Sequence, residues 1–272
     1  MQDFFFILGC QRSGTTLIRL ILDSHSQIHC FDEYKSYSLL ANKLSLDEEL
    51  KKYKNKKLIG FKTPAYTEQM DYSVLIDPRK FLQVKNTFYD SKMIFVYRDV
   101  RDVISSMNEY VKGNGGSWLE TQALRIINFW IENKFDFIKK YNAELAKLEE
   151  SKNNNIVAGA IFWKIKNDFM FSYETKRPLL KIKYEELCSS PRREITKICS
   201  FLNVPLEDTL LHHEKVKHDE VNEDGITVGE VNSKLPIFND SIGRYENDLL
   251  PEEVNKILEI TYDLMKKLEY KI

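Results

Sequence analysis

The sequence has few cysteines, and their positions exclude two kinds of site. Its 272 residues contain four, Cys10, Cys30, Cys188 and Cys199. No two of them have a CxxC spacing, so a zinc or thioredoxin-like motif is not indicated. A chain of this length with so few cysteines is also not a disulfide-based scaffold. We therefore expect free thiols and a reducing, cytoplasmic environment.

The sequence also lacks an excess of charge and a long hydrophobic run. Its 40 basic and 41 acidic residues leave a net charge of -1. Nothing in this balance favours binding to nucleic acid or to an anionic membrane, and any affinity for anions must be local. The apolar run at residues 4–8 is far shorter than the roughly 20 residues of a membrane span. It is also too short for a signal peptide, so we interpret it as a buried strand.

The apolar segments alternate with amphipathic ones. Short apolar segments at residues 4–8, 28–31, 58–62, 92–97 and 178–184 predict strands. Helices are predicted at residues 15–24, 36–53, 98–110, 118–149, 156–174, 190–204 and 251–268. This order predicts one α/β domain over residues 1–272, P-loop-like and three-layered, with a central parallel sheet flanked by helices. The polar residues 214–240 are expected to form a surface loop.

A glycine-bracketed loop connects the first strand to the first helix. Residues 9–16 read GCQRSGTT. Glycines let the backbone approach an anion closely, and the helix N-terminus that follows presents free N–H groups. The side chains expected to contribute charge or hydrogen bonds around Gly14 are Arg12, Ser13, Thr15 and Thr16. A nucleotide kinase would have lysine where this chain has Thr15, so a kinase is the less favoured alternative.

The stretch around this loop carries a family resemblance. GCQRSGTTLIRLILDSHSQIHCFDE, residues 9–33, resembles the 5′-phosphosulfate loop of sulfotransferases that use 3′-phosphoadenosine 5′-phosphosulfate (PAPS). It is most similar to the tyrosylprotein sulfotransferases, although Ser26 stands where they have proline and Phe31-Asp32 where they have Gly-Glu. The resemblance implies transfer of a sulfuryl group from PAPS to an acceptor hydroxyl, with adenosine 3′,5′-bisphosphate (PAP) as product and no metal.

A second phosphate-binding element follows the fourth predicted strand. In YRDVRDVISS, Arg98 comes directly after the strand and Ser106 lies eight residues further on, about two helical turns into the predicted helix. An arginine and a serine so placed can hold a phosphate through charge-assisted hydrogen bonds. The pattern resembles the 3′-phosphate site of the sulfotransferase superfamily. In the same superfamily the tyrosine of YEEL, here Tyr184, is implied to lie near the adenine.

Sulfuryl transfer needs a base and cations. Glu33 follows the second strand, and the resemblance implies that it is the base. Asp32, His25 and His29 remain as alternatives. Lys62 ends the third strand and resembles a lysine that contacts the oxygen bridging to the leaving group. We expect Arg12 to share this charge-stabilising role.

The C-terminal part carries two further motifs. LLHHEKV, residues 210–216, contains His212, His213 and Glu214, but adjacent histidines point apart on a helix and we do not expect a metal. The string resembles an L-H-H-E element of the tyrosylprotein enzymes.

The segment SIGRY resembles the S-x-G-R-[WY] motif of bacterial and carbohydrate sulfotransferases. This implies that Ser241 contacts the sulfuryl group and that Arg244 closes over the 3′-phosphate. It departs from the tyrosylprotein pattern, so the acceptor stays open among peptide tyrosine, a glycan and a small-molecule hydroxyl. An acidic peptide would need a basic cleft, for which the candidates are Lys35, Lys43, Lys51 and Lys52. A homodimer and a catalytically inactive nucleotide-binding protein are also left open.

Overall fold

The computed structural model describes residues 2–41, 43–64, 91–109, 116–218 and 232–272. These form two compact units. The first comprises residues 1–97 with 170–239, and the second comprises residues 98–169 with 240–272. Part of the predicted loop at 214–240, namely residues 219–231, lies outside the described ranges.

The first unit is built on a five-stranded parallel sheet. Its strands are β1 (Asp3–Gly9), β2 (Ile28–Phe31), β3 (Leu58–Lys62), β4 (Lys92–Tyr97) and β5 (Leu179–Lys183). They lie in the order β2-β3-β1-β4-β5, and every pair of neighbours is parallel. All five predicted strands are confirmed. Because parallel strands end at the same edge of a sheet, the residues that follow β1, β2 and β3 lie side by side.

Strands β1 to β4 form because most of their side chains are apolar and buried on both faces of the sheet. β2 and β3 are buried along their whole length. In β1 burial is continuous from Phe5 to Gly9. Helix and strand side chains together make one core in this unit, which includes Phe5, Ile7, Ile18, Ile21, Ile28, Ile94, Val96, Ile182, Ile195, Ile198 and Leu210.

Helices separate the strands. In chain order the α-helices of the described residues are α1 (Thr15–Asp23), α2 (Glu33–Leu40), α3 (Leu46–Lys52), α4 (Val100–Glu109), α5 (Leu124–Glu132), α6 (Asn142–Glu150), α7 (Asn155–Glu174), α8 (Tyr184–Ser189), α9 (Pro191–Leu202), α10 (Tyr245–Asp248) and α11 (Pro251–Lys267). A π-helical segment covers Leu119–Ala123, and 3-10 helices cover Asp136–Tyr141 and Asp208–Lys215. No helix of the described chain is both long enough and apolar enough to cross a bilayer.

Two predicted helices are wrong in length. The helix expected at 36–53 is two helices, α2 and α3, because Ser45 caps a new helix by accepting a hydrogen bond from the Glu48 N–H at 3.3 Å. The helix expected at 118–149 is interrupted after α5, where Lys134 adopts a left-handed backbone with φ 54° and Phe135 is extended. The chain then continues as a 3-10 helix and α6.

Candidate active site

The loop between β1 and α1 contains three residues with positive φ. They are Gly9 (143°), Arg12 (66°) and Gly14 (93°). A Cβ atom on Gly9 would lie 2.2 Å from the carbonyl oxygen of Val96 in the neighbouring strand. Glycine is therefore required there both by conformation and by space. The loop turns the chain out of the sheet and into α1, as the sequence pattern predicts.

The N-terminus of α1 is suited to an anion. No side chain of the described residues caps it, and its first turn contains no acidic residue. The N–H groups of the first turn and the helix dipole favour a negative charge there. Ser13, just before the helix, is fully buried, and its Oγ has no hydrogen-bond partner among the described residues. A phosphate or sulfate oxygen would satisfy this hydroxyl, so the loop fits the predicted ligand.

Tyr184 packs on this loop. It is the first residue of α8 and is nearly buried. A Cβ atom on Gly14 would lie 2.4 Å from Cδ2 of its ring. The ring therefore covers the start of α1 and leaves room only for glycine at position 14. Contact with the adenine stays a prediction for Tyr184.

The predicted base and the predicted lysine are in contact. Glu33 begins α2 directly after β2, and Lys62 ends β3, the strand beside β2. Glu33 Oε2 lies 3.1 Å from Lys62 Nζ. The Lys62 side chain is 4% exposed, whereas the Glu33 side chain is 27% exposed. Since β3 lies between β2 and β1, Lys62 is placed between Glu33 and the strand that leads into the phosphate loop.

Ser36 holds the ends of β2 and β3 together, and the sequence analysis did not single it out. Its Oγ accepts a hydrogen bond from the Lys62 N–H at 3.0 Å and donates to the Phe31 carbonyl at 3.3 Å. Ser36 is fully buried. Three residues after Glu33, it lies on the same helix α2. The strand end that carries Lys62 is thereby fixed to the helix that carries Glu33.

Asp32, one alternative base, has a structural role. It is the N-cap of α2, and its Oδ1 accepts the N–H of Lys35 at 2.6 Å. This bond satisfies an N–H group that the helix itself leaves without a partner.

His25, a second alternative, is buried with both ring nitrogens engaged. Its Nδ1 accepts the Gln27 N–H at 2.9 Å, so Nε2 carries the proton and donates to the Pro205 carbonyl at 2.9 Å. Glu207 lies 3.5 Å from the same Nε2. These contacts fix the tautomer of His25. Because Nδ1 already accepts a hydrogen bond and Nε2 is protonated, neither ring nitrogen has a lone pair available to act as a base.

His29 is part of a buried cluster around Asp23. The His29 Nδ1 lies 3.0 Å from Asp23 Oδ1, and the ring stacks on Tyr53 with centroids 3.6 Å apart. His218 Nδ1 lies 2.9 Å from Asp23 Oδ2. Burial alone would raise the pKa of Asp23, but hydrogen bonds from His218 and His29 and the charge of Arg19 together lower that pKa well below its ordinary value. Of the four base candidates, Glu33 alone contacts Lys62 among the described residues.

The second unit contains the predicted 3′-phosphate element. Arg98 precedes α4, is 4% exposed, and donates from Nη2 to the carbonyl oxygen of Ser241. The Trp163 indole N–H donates to the Arg98 carbonyl at 3.0 Å, which fixes the backbone at this point. Ser106 lies on α4 and is 5% exposed. Arg98 and the SIGRY segment, predicted to act on one ligand, thus contact each other directly.

Arg244 is held by two carboxylates. Its Nη2 lies 2.5 Å from Glu109 Oε2, and its Nε donates to Asp248 Oδ2 at 2.8 Å. Asp248 also accepts a hydrogen bond from the Ser105 hydroxyl. Closure of Arg244 over a phosphate would require its guanidinium to leave these carboxylates, and this role stays a prediction.

The histidine motif gives no metal cluster among the residues that the structure describes. His212 is half-exposed, with its Nδ1 3.4 Å from Glu214 Oε1. His213 is buried, and burial lowers its pKa to about 4. The two rings occupy different environments, one in water and one in the core.

Nearly the whole chain is similar to a known protein family. The family described as "Sulfotransferase domain" matches residues 2–269. The chain belongs to the sulfotransferase family. As such it is an enzyme that transfers a sulfuryl group, and the kinase alternative is not favoured.

Individual relatives support this assignment. Protein-tyrosine sulfotransferase A of Caenorhabditis elegans is 22% identical over 288 aligned positions, which cover 99% of this sulfotransferase and 67% of the relative. A sulfotransferase domain from the curacin biosynthetic pathway superposes with a TM-score of 0.61 at 17% identity, covering 100% of this chain and 99% of the other. Mouse sulfotransferase SULT7A1 complexed with PAP gives a TM-score of 0.54 at 16% identity, covering 98% and 85%. These structural likenesses show a common fold.

The lysines considered for an acidic peptide are already engaged in this sulfotransferase. Lys35 Nζ lies 3.0 Å from Glu49 Oε2, and Lys52 Nζ lies 2.8 Å from Glu49 Oε1. Lys51 pairs with Glu48 at 2.6 Å. The fourth, Lys43, lies over the ring of Tyr37 at 4.6 Å. The hydrogen bonds from Lys35 and Lys52 outweigh the effect of burial and lower the pKa of Glu49, so this carboxylate stays charged. Hence these lysines do not form a basic cleft by themselves.

Proposed function

We propose that the sulfotransferase uses PAPS as its donor and transfers the sulfuryl group directly to an acceptor hydroxyl. The observation that carries this proposal is the Glu33–Lys62 pair at the sheet edge where the loop of residues 9–16 begins. A base, a buried cation and an anion-binding helix terminus are the three groups that such a transfer needs. The mouse relative forms a complex with PAP, which supports the choice of nucleotide.

Each phosphate of the donor has a proposed binding element. The loop of residues 9–16 would hold the 5′ end through the N–H groups of α1, with Arg12, Ser13, Thr15 and Thr16 as its side-chain donors. Arg98 and Ser106 would hold the 3′-phosphate. We propose Tyr184 for the adenine, and Ser241 and Arg244 for closure over the donor. The buried Ser13 hydroxyl and the nearly buried Arg98 guanidinium support these assignments.

Glu33 and Lys62 would perform the chemistry. When bound, PAPS supplies a sulfur atom whose bond to the bridging oxygen breaks as the acceptor oxygen bonds to it. Glu33 takes the acceptor proton, for which its partial exposure leaves it accessible. Lys62 donates a hydrogen bond to the oxygen that gains negative charge, and its burial keeps competing water away. Arg12 contributes a second positive charge.

Two classes of acceptor are supported by different observations, namely peptide tyrosine and a carbohydrate hydroxyl. The relatives named as protein-tyrosine sulfotransferases favour peptide tyrosine. The SIGRY motif resembles enzymes that act on carbohydrates, and the engaged lysines after Glu33 do not favour a strongly acidic peptide. Labelled PAPS offered with panels of peptides, glycans and phenols will identify the acceptor. A cytoplasmic location and a homodimer also remain proposals, the former supported by the small number of cysteines, all four of them buried.

Nucleotide binding tests the proposal. In isothermal titration calorimetry the protein should bind PAP at least tenfold more tightly than ATP with magnesium. Turnover of labelled PAPS on at least one acceptor should follow. Tighter binding of ATP would contradict the donor assignment, and binding of PAP without turnover on any acceptor would indicate an inactive nucleotide-binding protein.

A further inference from the structure

Asp102 connects α4 to a distant part of the chain. Its Oδ2 accepts the Gly243 N–H at 2.9 Å, and its Oδ1 accepts the Tyr245 N–H at 3.1 Å. The side chain is almost fully buried. A buried carboxylate is costly unless its oxygens receive hydrogen bonds, and here both receive them from one short backbone segment.

Arg98 contacts the same backbone segment as a hydrogen-bond donor, whereas Asp102 contacts it as an acceptor. Arg98 Nη2 donates to the Ser241 carbonyl and lies 4.0 Å from Asp102 Oδ2. In residues 241–245, the C=O group of Ser241 therefore accepts a hydrogen bond from Arg98, and the N–H groups of Gly243 and Tyr245 donate to Asp102. Exchanging the polarity of either side chain would leave part-buried backbone groups of this segment without these partners.

Gly243 lets the segment adopt the required backbone. Its φ is 75°, and a Cβ atom placed there would find no atom within 4 Å. Glycine is thus needed for its conformation and not for space. With Gly243 left-handed, the N–H groups of residues 243 and 245 converge on one anion, in the manner of backbone anion sites. That anion is Asp102.

Asp102 is also placed between the two residues proposed for the 3′-phosphate. It lies four residues after Arg98 and four residues before Ser106 in the sequence. Asp102 and Ser106 share a face of α4, because residues four apart are neighbours on a helix. Burial raises the pKa of Asp102, against the lowering by the Gly243 N–H and by the charge of Arg98.

We propose that Asp102 is a positioning residue of the 3′-phosphate element. It holds residues 241–245 on α4 and orients the Arg98 guanidinium, and it does not itself contact the nucleotide. Both of its oxygens accept hydrogen bonds from backbone N–H groups, and Arg98 Nη2 lies 4.0 Å from Oδ2, beyond hydrogen-bond distance. The inference rests on the proposed function, in which Arg98 and Ser106 bind the 3′-phosphate.

The test compares two nucleotides that differ only in the 3′-phosphate. Asp102→Asn keeps the size of the side chain and replaces one acceptor by an N–H₂ group. We expect the Kd for PAP to rise about 10- to 100-fold, which is about 1.4 to 2.7 kcal/mol. The Kd for adenosine 5′-monophosphate should change less than twofold. In turnover, KM for PAPS should rise while kcat at saturating donor stays within about twofold of the wild type.

Asp168→Asn is the matched control. Asp168 belongs to the same unit, burial raises its pKa as it does for Asp102, and it accepts a hydrogen bond from the Tyr141 hydroxyl at 3.1 Å. This variant should lose stability without changing the ratio of the two nucleotide affinities. Equal weakening of both nucleotides by Asp102→Asn, or no weakening, would overturn the inference.

Two further variants distinguish a failure of the inference about Asp102 from a failure of the proposed 3′-phosphate site. Gly243→Ala perturbs the contact with Asp102 by straining the backbone that donates to it. It should raise the Kd for PAP about three- to tenfold, and it provides a test even if Asp102→Asn does not fold. Arg98→Ala tests the underlying site. If the wild type does not distinguish PAP from the monophosphate and Arg98→Ala changes neither affinity, the proposed 3′-phosphate site is wrong and the inference falls with it.

Discussion

Glu33 Oε2 and Lys62 Nζ lie 3.1 Å apart at the ends of neighbouring elements, and they differ in exposure. Lys62 is nearly buried, while about a quarter of the Glu33 side chain is open to solvent. An incoming hydroxyl can therefore reach the carboxylate, whereas the ammonium group stays inside the protein.

Replacing Glu33 tests the base. Glu33→Gln keeps the size of the side chain but cannot take a proton, so kcat should fall roughly 10²- to 10⁴-fold. The affinity for PAP should stay within about twofold, as measured by calorimetry. Asp32→Asn is the control, because Asp32 caps α2. Because asparagine caps a helix about as well as aspartate, this variant should change the unfolding free energy little and retain most of kcat. A wild-type rate for Glu33→Gln would remove Glu33 from the mechanism.

Replacing Lys62 tests the buried cation. Lys62→Met keeps much of the apolar stem and removes the charge, so kcat should fall about 10²- to 10³-fold. The control is Lys57→Met, just before the opposite end of β3, where Lys57 Nζ donates to the Asn203 carbonyl at 3.0 Å. That variant should turn over at the wild-type rate in the same labelled-PAPS assay. Equal losses in the two variants would argue against a specific role for Lys62.

The contact between Gly14 and Tyr184 can be tested with a double-mutant cycle. Gly14→Ala places a Cβ atom 2.4 Å from the Tyr184 ring in a backbone with φ 93°, so it should lower the unfolding free energy and weaken PAP binding more than tenfold. Tyr184→Leu should partly relieve the clash. The double variant should therefore be more stable in urea unfolding than the sum of the single variants predicts. Strict additivity would contradict this packing.

The buried His213 predicts a dependence of stability on pH. Its pKa is about 4 in the folded protein and near 6.5 when unfolded, so the unfolded chain binds a proton first as the pH falls. The contribution of His213 to stability is therefore complete above pH 6.5 and is lost between pH 6.5 and 4.

His213→Leu removes this titration. Between pH 7.5 and pH 5, the unfolding free energy of the wild type should fall about 2 kcal/mol more than that of the variant. Urea unfolding at the two pH values provides the measurement. Equal pH dependence in the two proteins would show that His213 does not contribute.

The strands and the phosphate loop could be predicted from the sequence because their signals are local. Segments such as FFFIL and LIGFK are apolar at every position, which is typical of strands buried on both faces. The break between α2 and α3 was also present in the sequence, as Ser45 with Glu48 three residues later, and was missed. The interruption after α5 had no comparable signal, since nothing in Lys134 itself demands a left-handed backbone.

The candidate site was predictable where each residue follows a strand, and not where two distant segments meet. The proximity of Glu33 and Lys62 could be predicted because parallel strands end at one edge of the sheet. Ser36 and Asp102 were missed because their roles depend on partners that only the folded chain supplies. Asp102 contacts the N–H of Gly243, 141 residues away, and a sequence read locally does not reveal such a pair. The tautomer of His25 likewise depends on Pro205.

Arg12 carries a positive charge in a left-handed backbone conformation that is unfavourable for a residue with a side chain. At φ 66° glycine would be the easier residue, because a side chain there costs roughly 1 kcal/mol. Exchanging Arg12 for glycine would thus take away a charge while relaxing the chain that carries it. At this position stability and the anion binding proposed for Arg12 favour different residues, so Arg12→Gly should stabilise the loop while weakening the proposed contact with the donor.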